Sequence, residues 1–186
     1  MRSPIRIAII GPSCSGKTTL GRQLSEGLAL PRVELDELHW LADWQPRETD
    51  DFKRVVTETT EAENWVVDGS YFGKLGRLVT SRATLIIRLN LPFHIVYARI
   101  LKRSLQRIVT REVLWNGNRE SLLATLFDRD SLIYWVPRTW RSRNTRYGQL
   151  LSSLDPATEL LEFKDLKSLQ QWLQHYIQRQ NNGLET

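Results

Sequence analysis

The chain has little with which to hold itself together covalently or around a metal. Its one cysteine, Cys14, excludes an internal disulfide framework and a cysteine-based zinc site. His39, His94 and His175 are the only histidines and show no ligand spacing, so no protein-held metal cluster is expected. Long apolar runs are missing too. A spanning helix needs roughly 20 apolar residues, and the best candidate, 85–100, is interrupted by Arg88, Asn90, Pro92, His94 and Arg99. Near the N-terminus only four consecutive apolar residues follow Arg6, which predicts a cytoplasmic protein without a secretory signal. Repeats and low-complexity segments are absent apart from a polar tail over 178–186.

What remains is the composition of one globular domain. The 186 residues are 41% hydrophobic and 25% charged, enough for a single sizeable core and too few for two ordinary ones. The formal net charge of +5 is localised. Between Arg99 and Tyr147 stand eleven basic residues against four acidic ones, a local +7, so the remainder nets −2. Such a concentration predicts anionic ligands at that segment rather than general solubility.

The most informative stretch is Gly11-Pro12-Ser13-Cys14-Ser15-Gly16-Lys17-Thr18-Thr19, which fits the Gly-x-x-x-x-Gly-Lys-Ser/Thr phosphate-binding pattern. An apolar run of strand type, Ile5 to Ile10, precedes it; Leu20, Leu24 and Leu28 follow at helical spacing. A loop between strand and helix points backbone N–H groups and the positive end of a helix dipole at a polyphosphate. In that frame Lys17 follows the β- and γ-phosphates and the Thr18 hydroxyl is placed to ligate Mg²⁺, so ATP and Mg²⁺ are the expected ligands.

Further strands are predicted over 32–36, 64–69, 83–89 and 158–163. Helices are expected from near Pro46, with Phe52, Val55, Val56, Thr59 and Ala62 on one stripe, irregularly over 71–81, onward from Pro92, and over 165–178 with Leu166, Leu169, Trp172, Leu173, Tyr176 and Ile177 inward. Strands alternating with helices imply parallel crossovers in a three-layer α/β domain, with ligands off the carboxyl ends of the strands. Gly11, Asp36, Asp68 and Asn90 fall there. Residues 99–151 break the alternation and are expected to be a basic helical lid, the core being 1–98 and 152–180.

Asp68, ending an apolar strand beside Gly69, suits a carboxylate that orients Mg²⁺. Asp36 fits a general base for an acceptor hydroxyl, a metal-shell ligand or a local cap. Arg99, Arg103, Arg107 and Arg111 recur every four residues; like charges at that spacing destabilise a helix unless an anion lies among them. Arg99 and Arg103 are the better candidates for phosphate contact, while Glu112 offers a local partner to the others.

These residues together resemble the nucleoside-monophosphate-kinase-like, or adenylate-kinase-like, P-loop kinases. Within that group they are most similar to the bacterial FlaR-related DNA topology modulation proteins. The resemblance rests on Ile9 to Leu20, Leu35-Asp36-Glu37-Leu38-His39-Trp40, Val67-Asp68-Gly69-Ser70-Tyr71, and Leu89-Asn90-Leu91-Pro92 followed by Arg99 and Arg103. It implies a five-stranded parallel sheet ordered 2-3-1-4-5 and roles for Asp68, Arg99 and Arg103; with Lys17 of the loop and Asp36 these make up the expected catalytic set. It also implies donor-nucleotide contacts from Arg99 and Arg103. Adenylate kinases follow Asp-Gly with Phe-Pro-Arg, whereas Ser70-Tyr71-Phe72 stand here, so no arginine occupies the acceptor-phosphate position. Lys74 or Arg77 is the nearest replacement.

The expectation is therefore an ATP/Mg²⁺-dependent phosphotransferase acting on a small acceptor, with Asp36, Lys74 and Arg77 at the acceptor side. The alternatives are a nucleotide-regulated protein that modulates DNA topology or binds nucleic acid, and an inert nucleotide-binding scaffold. Against nucleic acid, the chain has no recognisable nucleic-acid-binding motif.

Overall fold

A computed structural model describes residues 4–110, 112–119, 131–152 and 154–182. Its centre is the strand β1 (Arg6–Ile10), whose Ile7, Ala8, Ile9 and Ile10 are all buried. A strand covered on both faces carries a continuous apolar run rather than an alternating one. The parallel sheet is ordered β2-β3-β1-β4-β5, with β2 at Arg32–Glu34, β3 at Trp65–Asp68, β4 at Leu85–Leu89 and β5 at Glu159–Phe163. This is the predicted order. In register, Ile9 pairs with Asp68 of β3 and with Ile87 of β4, so Asp68 sits one residue short of the end of β1 and beside the loop that leaves it.

Helices cover both faces. On one side, α1 (Lys17–Leu28) and α7 (Leu166–Asn182) close over Ile7, Ile9, Val66, Leu85, Ile87 and Leu89 through Leu20, Leu24, Leu169 and Leu173. On the other, α3 (Thr49–Thr59) and α4 (Phe72–Leu75) cover Ala8, Ile10, Val67 and Ile86 through Phe52, Val56 and Leu75. A third apolar cluster, Leu91, Val96, Ile100 and Val136, joins α5 (Phe93–Thr110) to α6 (Leu132–Leu151). No helix among the described residues is long and apolar enough to cross a membrane.

Several expected boundaries move for local reasons. The helix expected from Pro46 begins at Thr49, because the Glu48 carboxylate accepts hydrogen bonds from the Asp50 and Asp51 N–H groups at 2.7 and 3.0 Å and caps it there. Ala62 lies beyond its end and is exposed. In the closing helix Leu166 is exposed, while Leu169 and Leu173 are buried. The second strand stops at Glu34, and Asp36 belongs to a one-turn helix, α2 (Leu35–His39). Residues 99–151 are not uniformly helical either. Between α5 and α6 the chain makes a tight antiparallel bridge from Val113 to Arg119 around a 3₁₀ turn at Trp115–Gly117.

Candidate active site

The loop between β1 and α1 is built for close approach. Gly11 adopts φ 153°, and a Cβ there would stand 2.6 Å from the Leu89 carbonyl oxygen, so the loop can leave the sheet this closely only with glycine. Ser70, just after β3, pins that departure point: its hydroxyl accepts from the Gly11 N–H at 3.0 Å and lies 3.2 Å from the Gly11 carbonyl. Helix α1 opens at Lys17 with no capping side chain and no acid in its first turn. Its leading N–H groups are thus left for a ligand. Lys17 folds back over the loop, donating to the Pro12 carbonyl at 2.9 Å. The other side of the loop rests on the α5–α6 pair, where Cys14 packs against the Leu91, Val96, Ile100 and Val136 cluster.

Behind Lys17 the sheet edge brings three oxygen-bearing groups together. The Thr18 hydroxyl lies 3.3 Å from Asp68 Oδ1 and 3.3 Å from Glu34 Oε1. A hydroxyl has one proton and cannot satisfy two carboxylates at once. Arg32 holds the pair from the far side, Nε to Asp68 Oδ2 at 2.9 Å and Nη2 to Glu34 Oε2 at 2.6 Å. Asp68 is only 2% exposed. Burial pushes its carboxyl above the ordinary range against the opposing pull of Arg32, Lys17 and Thr18. Burial raises Glu34 as well, assisted by the charge of Asp68. Arg32 loses hydration, yet Asp68 and Glu34 hold it above its ordinary value.

Two crowded carboxylates and a hydroxyl are hard oxygen donors of the kind Mg²⁺ takes, and a divalent cation would relieve their mutual repulsion. No set of three or more acidic, histidine or cysteine side chains with metal-holding geometry occurs among the described residues. The donor set therefore fits an ion that takes most of its ligands from phosphates and water. Glu34 and Arg32 are absent from the expected site. Their signal was the two-residue alternation Arg32-Val33-Glu34, which places both side chains on the same face of a short strand ending beside the loop. Gly21 is a second missed signal: a Cβ at this interior helical position would lie 2.8 Å from Asp68 Oδ2, so its absence lets α1 lie against the carboxylate.

On the next flank, Asp36 Oδ1 accepts a 2.5 Å hydrogen bond from the Tyr71 hydroxyl. His39 packs between Tyr71, Phe52 and Trp40, with ring centroids 4.6, 5.0 and 4.7 Å away. Lys74 is half-buried and its charge acts on His39. Arg77 is exposed, and no hydrogen bond or ion pair among the described residues ties its side chain to Asp36. Of the three residues expected on the acceptor side, Asp36 and Lys74 both act on His39, while Arg77 is exposed with no described side-chain tie to Asp36.

His39 provides a test of this neighbourhood. It is 3% exposed, and burial, reinforced by Lys74 and Arg47 against Asp36, lowers its pKa from 6.5 to about 4. The unfolded chain binds a proton at His39 near pH 6.5 and the folded chain only near pH 4, so stability falls as pH drops through that window. The loss is about 3 kcal/mol at most. Burial of Asp68 and Glu34 acts in the opposite sense, but equally in any His39 variant. The stability of His39→Phe, which keeps a ring in place, is therefore expected to fall less than that of the parent in urea titrations at pH 7 and 4.5. Parallel curves for the two proteins would refute the assignment.

Along α5, Arg99, Arg103 and Arg107 line one half-buried flank. Arg107 pairs with Glu112 at 3.4 Å, the local partner anticipated for it. Arg103 Nε is buried without a hydrogen-bond partner among the described residues, as is Nη1 of Arg143 on α6, whose guanidinium lies 4.7 Å over the Trp135 ring. Arg111 lies outside the described residues.

The bridge after α5 reaches across to the segment after β2. Asn118 is 4% exposed; its Oδ1 accepts from the Trp44 N–H and its Nδ2 donates to the Leu41 carbonyl, both at 2.8 Å. The Asn116 amide donates to the Trp40 carbonyl at 2.5 Å and Trp44 Nε1 to the Arg119 carbonyl at 3.1 Å. The two segments that flank Asp36 are thereby clasped.

No family model matches the chain. It is 30% identical over 128 residues to the uncharacterized protein YqaC of Bacillus subtilis (strain 168), a match that spans 68% of this chain and 71% of that one. Among solved structures, its fold is similar to shikimate kinase from Bacteroides thetaiotaomicron, with a TM-score of 0.54, 16% identity and 98% and 99% of the two chains covered. It is also similar to shikimate kinase from Aquifex aeolicus vf5, with a TM-score of 0.53, 17% identity and 98% and 100% coverage. At these identities the likeness is one of fold, that of the P-loop kinases.

Proposed function

We propose, for a chain that belongs to the same family as the Bacillus subtilis protein YqaC, an ATP- and Mg²⁺-dependent phosphotransferase that acts on a small hydroxyl-bearing acceptor. The observation that carries this reading is the Thr18 hydroxyl set between Glu34 and Asp68, directly behind the phosphate loop and Lys17. A plain glycine-rich turn has no need for a buried and a half-buried carboxylate at that position. Thr18, Asp68 and Glu34 would hold Mg²⁺, which supplies charge neutralisation to the phosphates. Gly11 to Thr19 cradle the triphosphate, and Lys17 follows the transferring group. Arg99 and Arg103, the latter with an unsatisfied buried donor, complete the anion's surroundings from α5. Residues 99–151 act as a lid that excludes water.

The acceptor lies at Asp36, with Lys74 beside it. Nucleic-acid binding is less well supported. Lys102, Arg119, Arg138 and Arg141 are exposed, but Arg99, Arg103 and Arg107 are half-buried and the chain has no recognisable nucleic-acid-binding motif. The test is ADP release from ATP, with and without EDTA, against a panel of hydroxyl compounds and nucleoside monophosphates. Acceptor-stimulated, EDTA-sensitive ADP formation is expected. Absence of nucleotide binding in equilibrium dialysis, together with no stimulated turnover, would defeat the reading.

A further inference from the structure

The surroundings of Asp36 restrict what can bind there. Three cations, Arg47, Arg77 and Lys74, stand near its segment in sequence or space. Arg47 is spent: Nη1 pairs with Asp51 at 2.7 Å and Nε donates to the Leu38 carbonyl at 2.7 Å. Arg77 is exposed to solvent, and no described contact ties its side chain to Asp36. Lys74 remains, a single point charge rather than a guanidinium fork. His39, buried and neutral above about pH 4, adds no charge at physiological pH. A second negative charge about 5 Å from the Asp36 carboxylate would cost roughly 10²-fold in affinity at an effective dielectric of 20. A neutral acceptor bears no such penalty.

The same neighbourhood offers aromatic rings in unusual number. Phe52, Tyr71, His39, Trp40, Trp44 and Trp115 form an unbroken chain of ring contacts, with successive centroids 4.6 to 6.5 Å apart. Phe52 and His39 are its buried inner members, whereas Tyr71, Trp40, Trp44 and Trp115 are each partly exposed. The Asn116 and Asn118 clasp fixes the backbone on which Trp40, Trp44 and Trp115 stand. A fixed carboxylate beside partly exposed indoles suits a molecule with hydroxyls on its edge and C–H groups on its face.

We propose that the phosphoryl acceptor is a neutral, ring-shaped polyhydroxylated molecule, a sugar, cyclitol or nucleoside, with its reactive hydroxyl on Asp36 and its apolar face on the indoles of Trp40 and Trp44. This rests on the phosphotransferase reading above. In the step it implies, the acceptor hydroxyl oxygen forms the new bond to the γ-phosphorus and the bond from that phosphorus to the β–γ bridging oxygen breaks. ADP leaves with the bonding pair, and the hydroxyl proton passes to the Asp36 carboxylate and then to water. Tyr71 is a positioning residue here, holding the other lobe of the carboxylate through its hydroxyl.

The full-length protein, first shown to bind Mg·ATP by equilibrium dialysis, is assayed for ADP release with D-glucose, myo-inositol, adenosine and uridine, and with AMP, UMP and D-gluconate as anionic counterparts. Intrinsic tryptophan fluorescence is followed in parallel. The expected result is at least tenfold stimulation and a fluorescence change with one or more neutral compounds, and at least tenfold weaker effects from the anions. The sugar, cyclitol and nucleoside arms identify the ring. In Trp44→Tyr, and separately Trp40→Ala, the acceptor KM should rise about tenfold while the ATP KM stays within about twofold, which a folding defect would not produce. Stimulation by AMP, UMP or gluconate alone overturns this acceptor class and leaves the phosphotransferase reading standing. Nucleotide binding with no response to any neutral compound also overturns it. Failure to bind nucleotide defeats both.

Discussion

Lys17→Ala should lower kcat/KM for phosphoryl transfer by about 10³-fold, the scale seen when a preorganised charge is removed from a developing anion, while leaving the fold intact. The two halves of this expectation have separate grounds. Lys17 is half-buried, and its ammonium makes one described hydrogen bond, to the Pro12 carbonyl of its own loop. It sits at the first position of α1, where a cation opposes the helix dipole, so its removal carries a small compensating gain. What stability it lends comes through its charge acting on Asp68, a carboxylate that Arg32 already holds at 2.9 Å. A change in stability within about 0.5 kcal/mol is expected. Catalytically Arg32 cannot stand in for it, being committed to Glu34 and Asp68. Thermal melts and steady-state kinetics on the same preparation check both halves. A variant with the parent's kcat/KM would remove Lys17 from the mechanism.

The layout of the sheet was legible because its signals are local and redundant. The phosphate loop fixes the end of β1 and the start of α1 in nine residues, and the runs over 64–69 and 83–89 are too apolar to be anything but covered strands. Asp68 was legible for the same reason, since an apolar strand that stops at Asp-Gly leaves its carboxylate at the edge. Glu34 was not. The alternation Arg32-Val33-Glu34 puts it on one face with Arg32 but does not say what that face meets, and only the register that pairs Glu34 with Asp68 shows the two carboxylates to be neighbours. The clasp was hidden by distance: Asn118 meets Leu41 and Trp44 across more than seventy residues, and nothing local marks an asparagine as a bridge. The tryptophans read as packing residues for the same reason. One by one, Trp40, Trp44 and Trp115 are unremarkable aromatics; their meaning comes from standing together beside Asp36.

Asp36→Asn is expected to reduce kcat by two or more orders of magnitude, within the 10²- to 10⁴-fold range that a positioned general base contributes. The substitution is nearly isosteric. Asparagine's carbonyl oxygen can still accept the Tyr71 hydrogen bond, so the ring cluster of His39, Phe52 and Tyr71 stays packed and stability changes little. Only the capacity to take a proton from the acceptor hydroxyl is lost, and that loss belongs in kcat with the acceptor KM close to the parent's. Arg77→Ala, at an exposed position, should leave both constants within about twofold. The opposite pattern would come from an anionic acceptor. Such a ligand needs cations and no base, so Asp36→Asn would then be nearly silent, or even favourable through removal of a repelling charge, and Lys74→Ala would raise the acceptor KM steeply. Measured together, the three variants separate the two acceptor chemistries without the acceptor's identity being known beyond the compound that supports turnover. Silence of all three with a working acceptor would move the acceptor site away from α2 altogether.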